Sequence, residues 1–277
     1  MKTVGIIGMG VMGGSFAGRL KQLGYRVYGF DLNGHSLKRA KEKGWIDEGF
    51  ADFSHGLADC ELLIFCIYPT LLKEWIEKNQ NHFAPHTLIL EISGVKRAVM
   101  EPVQNILRKD CELMSIHPMC GRESKGIEYA NPAIFDQANF ILIPDDRNSA
   151  STIVKVSSLA KDLGCKNISV LTPEEHDKMI GFLSQLTHVI AVTLMDTHEN
   201  EHLVEYTGDS FRDLTRIASI NEDMWCELFL LNKDILLDEI RQFRDTLDEF
   251  TQALEQSDEK KMKDMMVLST KRRHKFD

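Results

Sequence analysis

The sequence predicts an α/β fold in which a doubly wound, mainly parallel sheet is followed by an all-helical region. Short apolar segments alternate with helical stretches as far as residue 172, and only helical periodicity continues beyond it. Such alternation is typical of parallel strands joined by crossover helices. We therefore expect two domains, residues 1–172 and 173–277. The predicted strands are residues 3–8, 25–30, 61–67, 87–92, 112–116, 139–144 and 167–171.

A glycine turn joins the first predicted strand to the first helix, and an acidic residue ends the second strand. Gly8 permits a tight turn, Gly10 lets the backbone approach a pyrophosphate, and Gly13 lets the helix pack closely on its strand. Asp31 can accept hydrogen bonds from both hydroxyls of a ribose, and it repels a 2'-phosphate. This Rossmann-type pattern predicts NAD rather than NADP as the cofactor. The predicted cofactor-binding residues are Gly8, Met9, Gly10, Val11, Met12, Gly13 and Asp31.

The helical region opens with a strong start signal. Thr172 is a capping residue, Pro173 occupies the first helical position, and Glu175 completes a capping box. Farther on, one helical face carries a wide apolar stripe, which needs a partner surface in the same domain or in a second subunit. The two domains meet without a glycine/serine linker, so we expect a cleft between them. The stripe consists of Trp225, Leu228, Phe229, Leu231, Ile235, Leu236, Ile240, Phe243, Leu247, Phe250 and Leu254.

Composition restricts the class of protein. The chain is 43% hydrophobic and 27% charged, as expected of a soluble globular protein. Its net charge of -9 argues against nucleic acid as a partner. The six cysteines have no metal-ligand spacing, so we expect reduced thiols in a cytoplasmic protein and no metal site. No apolar stretch approaches the roughly 20 residues that cross a bilayer, and we therefore expect no membrane contact.

His117 is the strongest candidate for a catalytic base. It follows the predicted strand 112–116, and ligands of open parallel sheets bind beyond the carboxyl ends of the strands. A histidine placed there can take a proton from a substrate hydroxyl as hydride departs. The alternative is a histidine that only holds its loop. Pro118 and Gly121 restrict the loop around it, which favours the functional interpretation.

The helix that opens at Thr172 carries further candidates. His176, Ile180, Ser184 and His188 recur every four residues and are expected to share one face. His188 and Ser184 are therefore candidate substrate-binding residues. A lone helix histidine is also common as an interface residue, and His176 is the poorer candidate because it lies in the first turn.

A third group of candidates surrounds Arg216. Asp213 lies three residues earlier, so the two side chains can pair on a helix and fix the direction of the guanidinium. An arginine held in this way can bind a carboxylate through two parallel hydrogen bonds. The alternative is an exposed pair worth less than about 1 kcal/mol. Leu214 and Ile217 favour burial, and hence a functional pair.

These motifs, taken in order, resemble the prephenate/arogenate dehydrogenases of tyrosine biosynthesis over essentially the whole chain. The resemblance implies that His117 accepts the proton of a ring hydroxyl and that His188 and Arg216 bind the substrate. It also implies that Ser184 lines the site and that Trp225 reaches the site of a neighbouring subunit, in a homodimer built on the helical domains. The motifs are the glycine turn, His117-Pro118-Met119-x-Gly121, Ser184-x-x-x-His188 and Phe211-Arg212-Asp213-x-Thr215-Arg216-Ile217-Ala218.

Two departures from this family concern the site. Gly94 stands where the family has a serine that orients the catalytic histidine, and Ser93 is the candidate replacement. Arg122 stands where a small residue is common. Together with Lys125 it surrounds Glu123, so the loop is positive overall. Such a loop favours prephenate, a dianion, over arogenate, which carries an ammonium group, and we expect Arg122 and Glu123 to contact the substrate.

The expected activity is the NAD-dependent oxidative decarboxylation of prephenate to 4-hydroxyphenylpyruvate. Three alternatives stay open. An arogenate dehydrogenase would make tyrosine directly. A β-hydroxyacid dehydrogenase would carry a catalytic lysine midway along the helix between the domains, whereas Lys178 lies near the helix start. A non-catalytic NAD-sensing dimer would need neither His117 nor Arg216.

Overall fold

A computed structural model describes residues 2–121, 124–199 and 202–276. It divides into two compact units, Met1–Asn232 and Lys233–Asp277. The boundary expected at residue 172 stays a prediction. The strands are β1 (Thr3–Ile7), β2 (Arg26–Phe30), β3 (Glu48–Phe50), β4 (Leu62–Phe65), β5 (Leu88–Glu91), β6 (Glu112–Pro118), β7 (Asn139–Ile143) and β8 (Asn167–Val170). The helices are α1 (Val11–Gln22), α2 (Gly34–Glu42), α3 (Pro69–Asn79), α4 (Arg97–Gln104), α5 (Ala150–Asp162), α6 (Pro173–Ile180), α7 (Thr187–Asp196), α8 (Leu203–Tyr206), α9 (Asp209–Thr215), α10 (Glu222–Leu231), α11 (Lys233–Glu255) and α12 (Glu259–Arg273).

The strands form one sheet in the order β3-β2-β1-β4-β5-β6-β7-β8. Every neighbouring pair is parallel except β6 and β7. The predicted doubly wound, mainly parallel sheet is therefore confirmed, and all seven predicted strands form. β3 was not predicted, because its three residues, Glu-Gly-Phe, are too few to show a strand pattern.

Both faces of the sheet are buried. Neighbouring residues within one strand, such as Ile6 and Ile7 of β1, belong to separate apolar clusters. Leu63 and Ile64 of β4 divide in the same way. Side chains alternate between the faces of a strand, so helices cover the sheet on two sides. The edges of the sheet remain as the places where a ligand can approach.

The register of the strands brings five of their ends into one row. Ile7 pairs with both Phe30 and Phe65, Phe65 pairs with Glu91, and Glu91 pairs with Ser115. The segments that follow these residues therefore lie along one edge of the sheet. Neighbouring strands are about 4.8 Å apart, so β1 and β6 are separated by roughly 14 Å. A single ligand along this edge can reach both.

The expected capping box at the start of α6 is confirmed. The Glu175 backbone N–H donates to Thr172 Oγ1 at 3.2 Å, and the Thr172 N–H donates to the Glu175 carboxylate at 2.9 Å. A π-helical segment, Gly181–Leu186, then joins α6 to α7. A π-helical turn takes more residues than an α-helical turn. His176, Ile180 and His188 are buried and Ser184 is half-buried, and the face that they are expected to share stays a prediction.

The helical stretch Pro173–Asp196 is long and apolar enough to cross a membrane by length and composition alone. The sequence analysis expected no such stretch. Core helices of soluble proteins pass the same test, and this one carries His176, Asp177 and His188 buried within the chain. The first turn of this stretch also carries two acidic residues, Glu174 and Glu175.

The second unit contains α11 and α12. The predicted apolar stripe is divided between α10, which ends at Leu231, and α11. On α11, Phe243, Leu247 and Leu254 are exposed in the single chain. These side chains are free to pack against another surface.

Candidate active site

The glycine turn after β1 has the backbone features expected of a dinucleotide site. Gly8 has a φ of +90°, and a Cβ at this position would lie 2.6 Å from the Cys66 carbonyl oxygen. A Cβ on Gly13 would collide with the Gly8 carbonyl oxygen. Gly10 faces open space, since a Cβ there meets no atom within 4 Å. The turn therefore requires glycine at two positions for packing and leaves the third open for a ligand.

Asp31 directly follows β2 and is held against this turn. One carboxylate oxygen, Oδ2, accepts the Met9 N–H at 2.6 Å, and Oδ1 accepts the Asn33 N–H at 2.8 Å. The first turn of α1 contains no acidic residue, and no side chain caps it at Gly10. The positive end of this helix is thus available to an anion. These groups fit the pyrophosphate and a ribose of a dinucleotide.

His117 lies at the same edge of the sheet. It is the penultimate residue of β6, rather than a residue of the following loop as expected from the sequence. β6 continues past the pairing of Ser115 with Glu91, so His117 lies two residues beyond the end of β5. The side chain is half-buried. The prediction of a histidine at the carboxyl ends of the strands agrees with this placement.

A buried chain of hydrogen bonds lies behind His117. Its Nδ1 is 2.8 Å from Nε2 of His176, and His176 Nδ1 is 2.8 Å from Oδ1 of Asp177. Both partners are fully buried. The expected contact between Ser93 and His117 does not occur, because Ser93 Oγ instead lies within hydrogen-bond distance of Glu91 Oε2 and the Val95 carbonyl oxygen.

Asp177 is itself fixed by the start of α4. Its carboxylate accepts the Lys96 N–H at 2.8 Å and the Arg97 N–H at 2.9 Å. Its carbonyl oxygen accepts a hydrogen bond from Asn232 Nδ2 at 3.0 Å. The carboxylate therefore holds α4 and α6 together as well as contacting His176.

A buried ion pair lies beside this chain of hydrogen bonds. Lys96 Nζ donates to Glu91 Oε1 at 2.8 Å and to the Ile116 carbonyl oxygen at 2.9 Å. Ser115 Oγ donates to the same carboxylate oxygen of Glu91. The pair joins the end of β5 to the residue just before His117, and so fixes the backbone that carries the imidazole.

Burial sets the protonation of these groups. It lowers the pKa of His117 well below its usual range, and a proton on His176 or on Lys96 acts in the same direction. Burial also lowers the pKa of His176, although the hydrogen bond to Asp177 opposes this shift. At neutral pH both imidazoles are therefore uncharged, and His117 is available as a base.

His188 and Trp225 form the second part of the site. Their rings stack with centroids 3.7 Å apart, and both are buried. His188 Nδ1 is 2.8 Å from the carbonyl oxygen of Ser184, a half-buried residue, so this nitrogen is protonated and donates to that oxygen. Leu228, one turn after Trp225, fills the space beside Gly94, where a Cβ would be 3.3 Å from it. Gly94, which departs from the family pattern, therefore has Leu228 as its packing partner.

Arg216 begins a short 3₁₀ turn, Arg216–Ala218, which packs against α7, the helix of His188. Asp213 and Arg216 are both exposed. The supporting role expected of Asp213 stays a prediction. Leu214 is 53% exposed, so the expected burial of this segment was also wrong, because only one side of it meets α7.

Sequence reasoning missed several residues at this edge. Asp177, Glu91 and Lys96 were not identified, and His176 was ranked below His188. One signal was present, because Glu91 ends an otherwise apolar strand and Lys96 follows five residues later. Arg122 and Glu123, predicted to contact the substrate, lie outside the described residues.

Two family models match the chain, one over each of its two parts. The family model described as "Prephenate dehydrogenase, nucleotide-binding domain" matches residues 16–169, and the one described as "Prephenate dehydrogenase, dimerization domain" matches residues 172–268. Prephenate dehydrogenase of Bacillus subtilis is 27% identical over 264 residues, which cover 92% of this chain and 71% of the relative. Cyclohexadienyl dehydrogenase of Zymomonas mobilis is 24% identical over 265 residues, covering 93% and 90%.

A solved structure resembles the whole chain. Prephenate dehydrogenase from Aquifex aeolicus, in complex with hydroxyphenyl propionate and NAD+, superimposes with a TM-score of 0.92 and is 27% identical. The match covers 100% of this chain and 99% of that one. Since the two family models also match most of its length, the chain belongs to the prephenate dehydrogenase family.

Proposed function

We propose that this protein catalyses the NAD-dependent oxidative decarboxylation of prephenate to 4-hydroxyphenylpyruvate. The observation that carries the proposal is the position of His117, a neutral imidazole at the same sheet edge as the glycine turn and Asp31. Membership of the family supports it, as do relatives named prephenate dehydrogenase. A relative of similar structure binds NAD+ and an aromatic acid.

The cofactor is NAD. The Gly8–Gly13 turn and the start of α1 would hold its pyrophosphate, and Asp31 would hold the ribose at the β2 side of the sheet. The nicotinamide would have to reach the β6 side of the same edge, where His117 lies. When bound, NAD accepts the hydride from C4 of the substrate.

The residues of the chain supply the rest of the chemistry. His117 Nε2 takes the proton of the ring hydroxyl as C4 loses its hydride, which leaves a ring ketone. The C–CO2 bond then breaks, and its electron pair passes through the ring to the ketone oxygen. His117 returns the proton to this oxygen, and the products are a phenol and carbon dioxide. His188 and Arg216 would hold the anionic ends of the substrate, with the His188 ring fixed by its stack on Trp225.

The rival activities lack support at this site. A β-hydroxyacid dehydrogenase needs a lysine in the cleft, whereas Lys178 is exposed. A non-catalytic sensor does not need a neutral buried base. Arogenate dehydrogenase differs only in the side chain of its substrate, and the positive loop around Glu123 favours prephenate. Kinetics must therefore separate these two substrates.

We expect a higher kcat/KM with prephenate than with arogenate. The rise of reduced-nicotinamide absorbance, measured with each substrate alone and with both at equal concentration, gives the ratio. Arg122→Thr should reduce the preference, because it removes one positive charge from the loop, and such a charge is worth about 1–2 kcal/mol in a partly solvated cleft. A ratio that favours arogenate would overturn the substrate assignment. Turnover of neither substrate would reject the enzyme activity.

Family membership also supports an inference about the assembly of the protein. We infer a homodimer formed through the helical domain, 173–277, with the nucleotide-binding domain in residues 1–172. The description of the second family model and the exposed Phe243, Leu247 and Leu254 support this arrangement. Trp225 would lie near the partner's site in such a dimer. We also infer a cytoplasmic enzyme with no nucleic-acid or membrane partner.

Specificity for NAD depends on Asp31. Asp31→Ser combined with Leu32→Arg should shift the kcat/KM ratio toward NADP, because the carboxylate is lost and a cation replaces a side chain that is 80% exposed. The Met9 N–H loses its carboxylate acceptor, so activity with NAD should fall as well. Leu32→Arg alone is the matched control and should keep the preference for NAD. Equal kcat/KM values for NAD and NADP in the wild-type enzyme would contradict this role of Asp31.

A further inference from the structure

We propose that His176 and Asp177 are positioning residues that hold His117 in its reactive tautomer and stabilise the charge it acquires. This inference rests on the proposed function and identifies how its base is oriented. The family has a serine that orients this histidine. Here Gly94 stands in its place, and Leu228 fills the space beside it. Within the described residues, the hydrogen bond to His176 is the one recorded for the His117 ring.

The direction of the two hydrogen bonds follows from Asp177, the last group of the hydrogen-bond chain. Asp177 carries a carboxylate, which only accepts, so His176 Nδ1 must donate to it. His176 is neutral, and its Nε2 therefore has a lone pair. That nitrogen accepts from His117 Nδ1–H, which leaves His117 Nε2 unprotonated. The arrangement sets one tautomer of His117 and places its lone pair on the opposite side of the ring from His176.

Asp177 is the negatively charged group at the end of the hydrogen-bond chain behind His117. Lys96 is also close, and its charge opposes a proton on His117. The Lys96 ammonium is itself paired with the Glu91 carboxylate at 2.8 Å. Arg97 lies on the far side of Asp177, with its Nε 3.5 Å from Oδ2. As His117 takes the substrate proton, the two hydrogen bonds connect the new positive charge to the carboxylate.

A second set of contacts shows that Asp177 also has a structural role. It accepts the N–H groups of Lys96 and Arg97 at the start of α4, so its removal would disturb the fold. Among the residues that the structure describes, the hydrogen-bond partners of the His176 side chain are His117 and Asp177 alone. Substitution of His176 therefore tests the relay more cleanly than substitution of Asp177.

The test compares His176→Phe with His176→Gln. Phenylalanine keeps a planar ring but removes both hydrogen bonds, and we expect kcat to fall on the order of 10–100-fold with KM within about twofold of wild type. Glutamine can still offer an oxygen to His117 Nδ1–H and should recover most of the loss. The acid limb of the kcat/KM profile should move to lower pH in His176→Phe, since a proton on His117 loses its connection to Asp177.

The matched control is His82→Phe. His82 is exposed and precedes β5, at the opposite edge of the sheet from His117, and its substitution should leave both kcat and the pH profile unchanged. An unchanged kcat in His176→Phe would overturn the proposal. Equal losses in the phenylalanine and glutamine variants, with an unmoved acid limb, would show that His176 is structural only.

A second measurement does not depend on turnover. In enzyme labelled with 15N-histidine, NMR at neutral pH should show His117 and His176 each protonated at Nδ1, with assignment from single-residue variants. Detection of His117 protonated at Nε2 would overturn the relay. If prephenate is not turned over but these tautomers are observed, the proposed substrate fails and the relay stands. The same spectrum of the wild-type protein decides the question if His176→Phe does not fold.

Discussion

His117→Asn is expected to lower kcat by about 10²–10⁴-fold, the usual range for the loss of a general base. KM for prephenate should change little, because Arg216 and His188 are the residues proposed to hold the anionic ends. Asparagine can still donate a hydrogen bond toward His176, so the buried chain is disturbed less than by an apolar substitution. Steady-state kinetics with NAD at saturation separates the two parameters.

The pH dependence provides a further check on the same variant. Burial lowers the pKa of His117 below its usual value of 6.5, so the wild-type enzyme should keep its base form at neutral pH and lose kcat/KM only as the pH falls below that range. In the unfolded chain the His117 imidazole binds a proton near pH 6.5, whereas in the folded chain it stays neutral at that pH. The low pKa of His117 therefore costs no stability above pH 6.5. The free energy of unfolding decreases as the pH falls below 6.5.

His117→Asn should therefore be less sensitive to acid than the wild-type protein in denaturant titrations, since one group that drives acid unfolding is gone. His82→Asn is the control for both measurements, because His82 is exposed at the other edge of the sheet. A kcat near the wild-type value would remove His117 from the mechanism. An acid limb that persists unchanged in the variant would assign the titration to another group.

Arg216→Ala is expected to raise KM for prephenate with a smaller effect on kcat. An arginine that binds a carboxylate in both the ground state and the transition state affects binding uniformly. The loss of a charge-assisted bidentate contact costs on the order of 2–4 kcal/mol, which corresponds to roughly 30- to 1000-fold in KM. The turn that begins at Arg216 packs against the helix of His188, which supports a shared substrate.

Arg212→Ala is the matched control for this variant. Arg212 is an exposed arginine on α9, four residues earlier, and its removal should leave KM within about twofold of wild type. Arg216→Lys tests the geometry, because lysine keeps the charge but cannot form the two parallel hydrogen bonds. A KM for Arg216→Ala as low as that of Arg212→Ala would make Arg216 a structural residue.

Local features of this protein were predictable from its sequence. The glycine turn could be identified because a positive φ at Gly8 and close packing at Gly13 exclude other side chains whatever the rest of the fold. The cap at Thr172 involves residues within three positions of each other. The buried strands were identified because their apolar runs are continuous. His117 could be placed at the active edge since a parallel sheet brings all its strand ends there.

The tertiary structure alone decided how His117 is held. His117 and His176 are 59 positions apart, and Lys96 and Asp177 are 81 apart, so no periodic pattern connects them. The orienting role was predicted for Ser93 because it is next to Gly94, but the Ser93 hydroxyl instead contacts Glu91 and Val95.

The same limit applies to the two remaining parts of the site. Asp213 and Arg216 have the spacing of a helical pair, yet the helix ends at Thr215 and both residues are exposed. Trp225 belongs to an apolar stripe by its spacing, whereas in the fold it stacks on His188, 37 positions away. Sequence by itself determined the local backbone and the edge of the sheet that carries the site. The orientation of His117 depended on contacts between segments far apart in the chain, and so did the stacking of Trp225 on His188. The physical reason is that the packing of helices against the sheet decides which side chains meet.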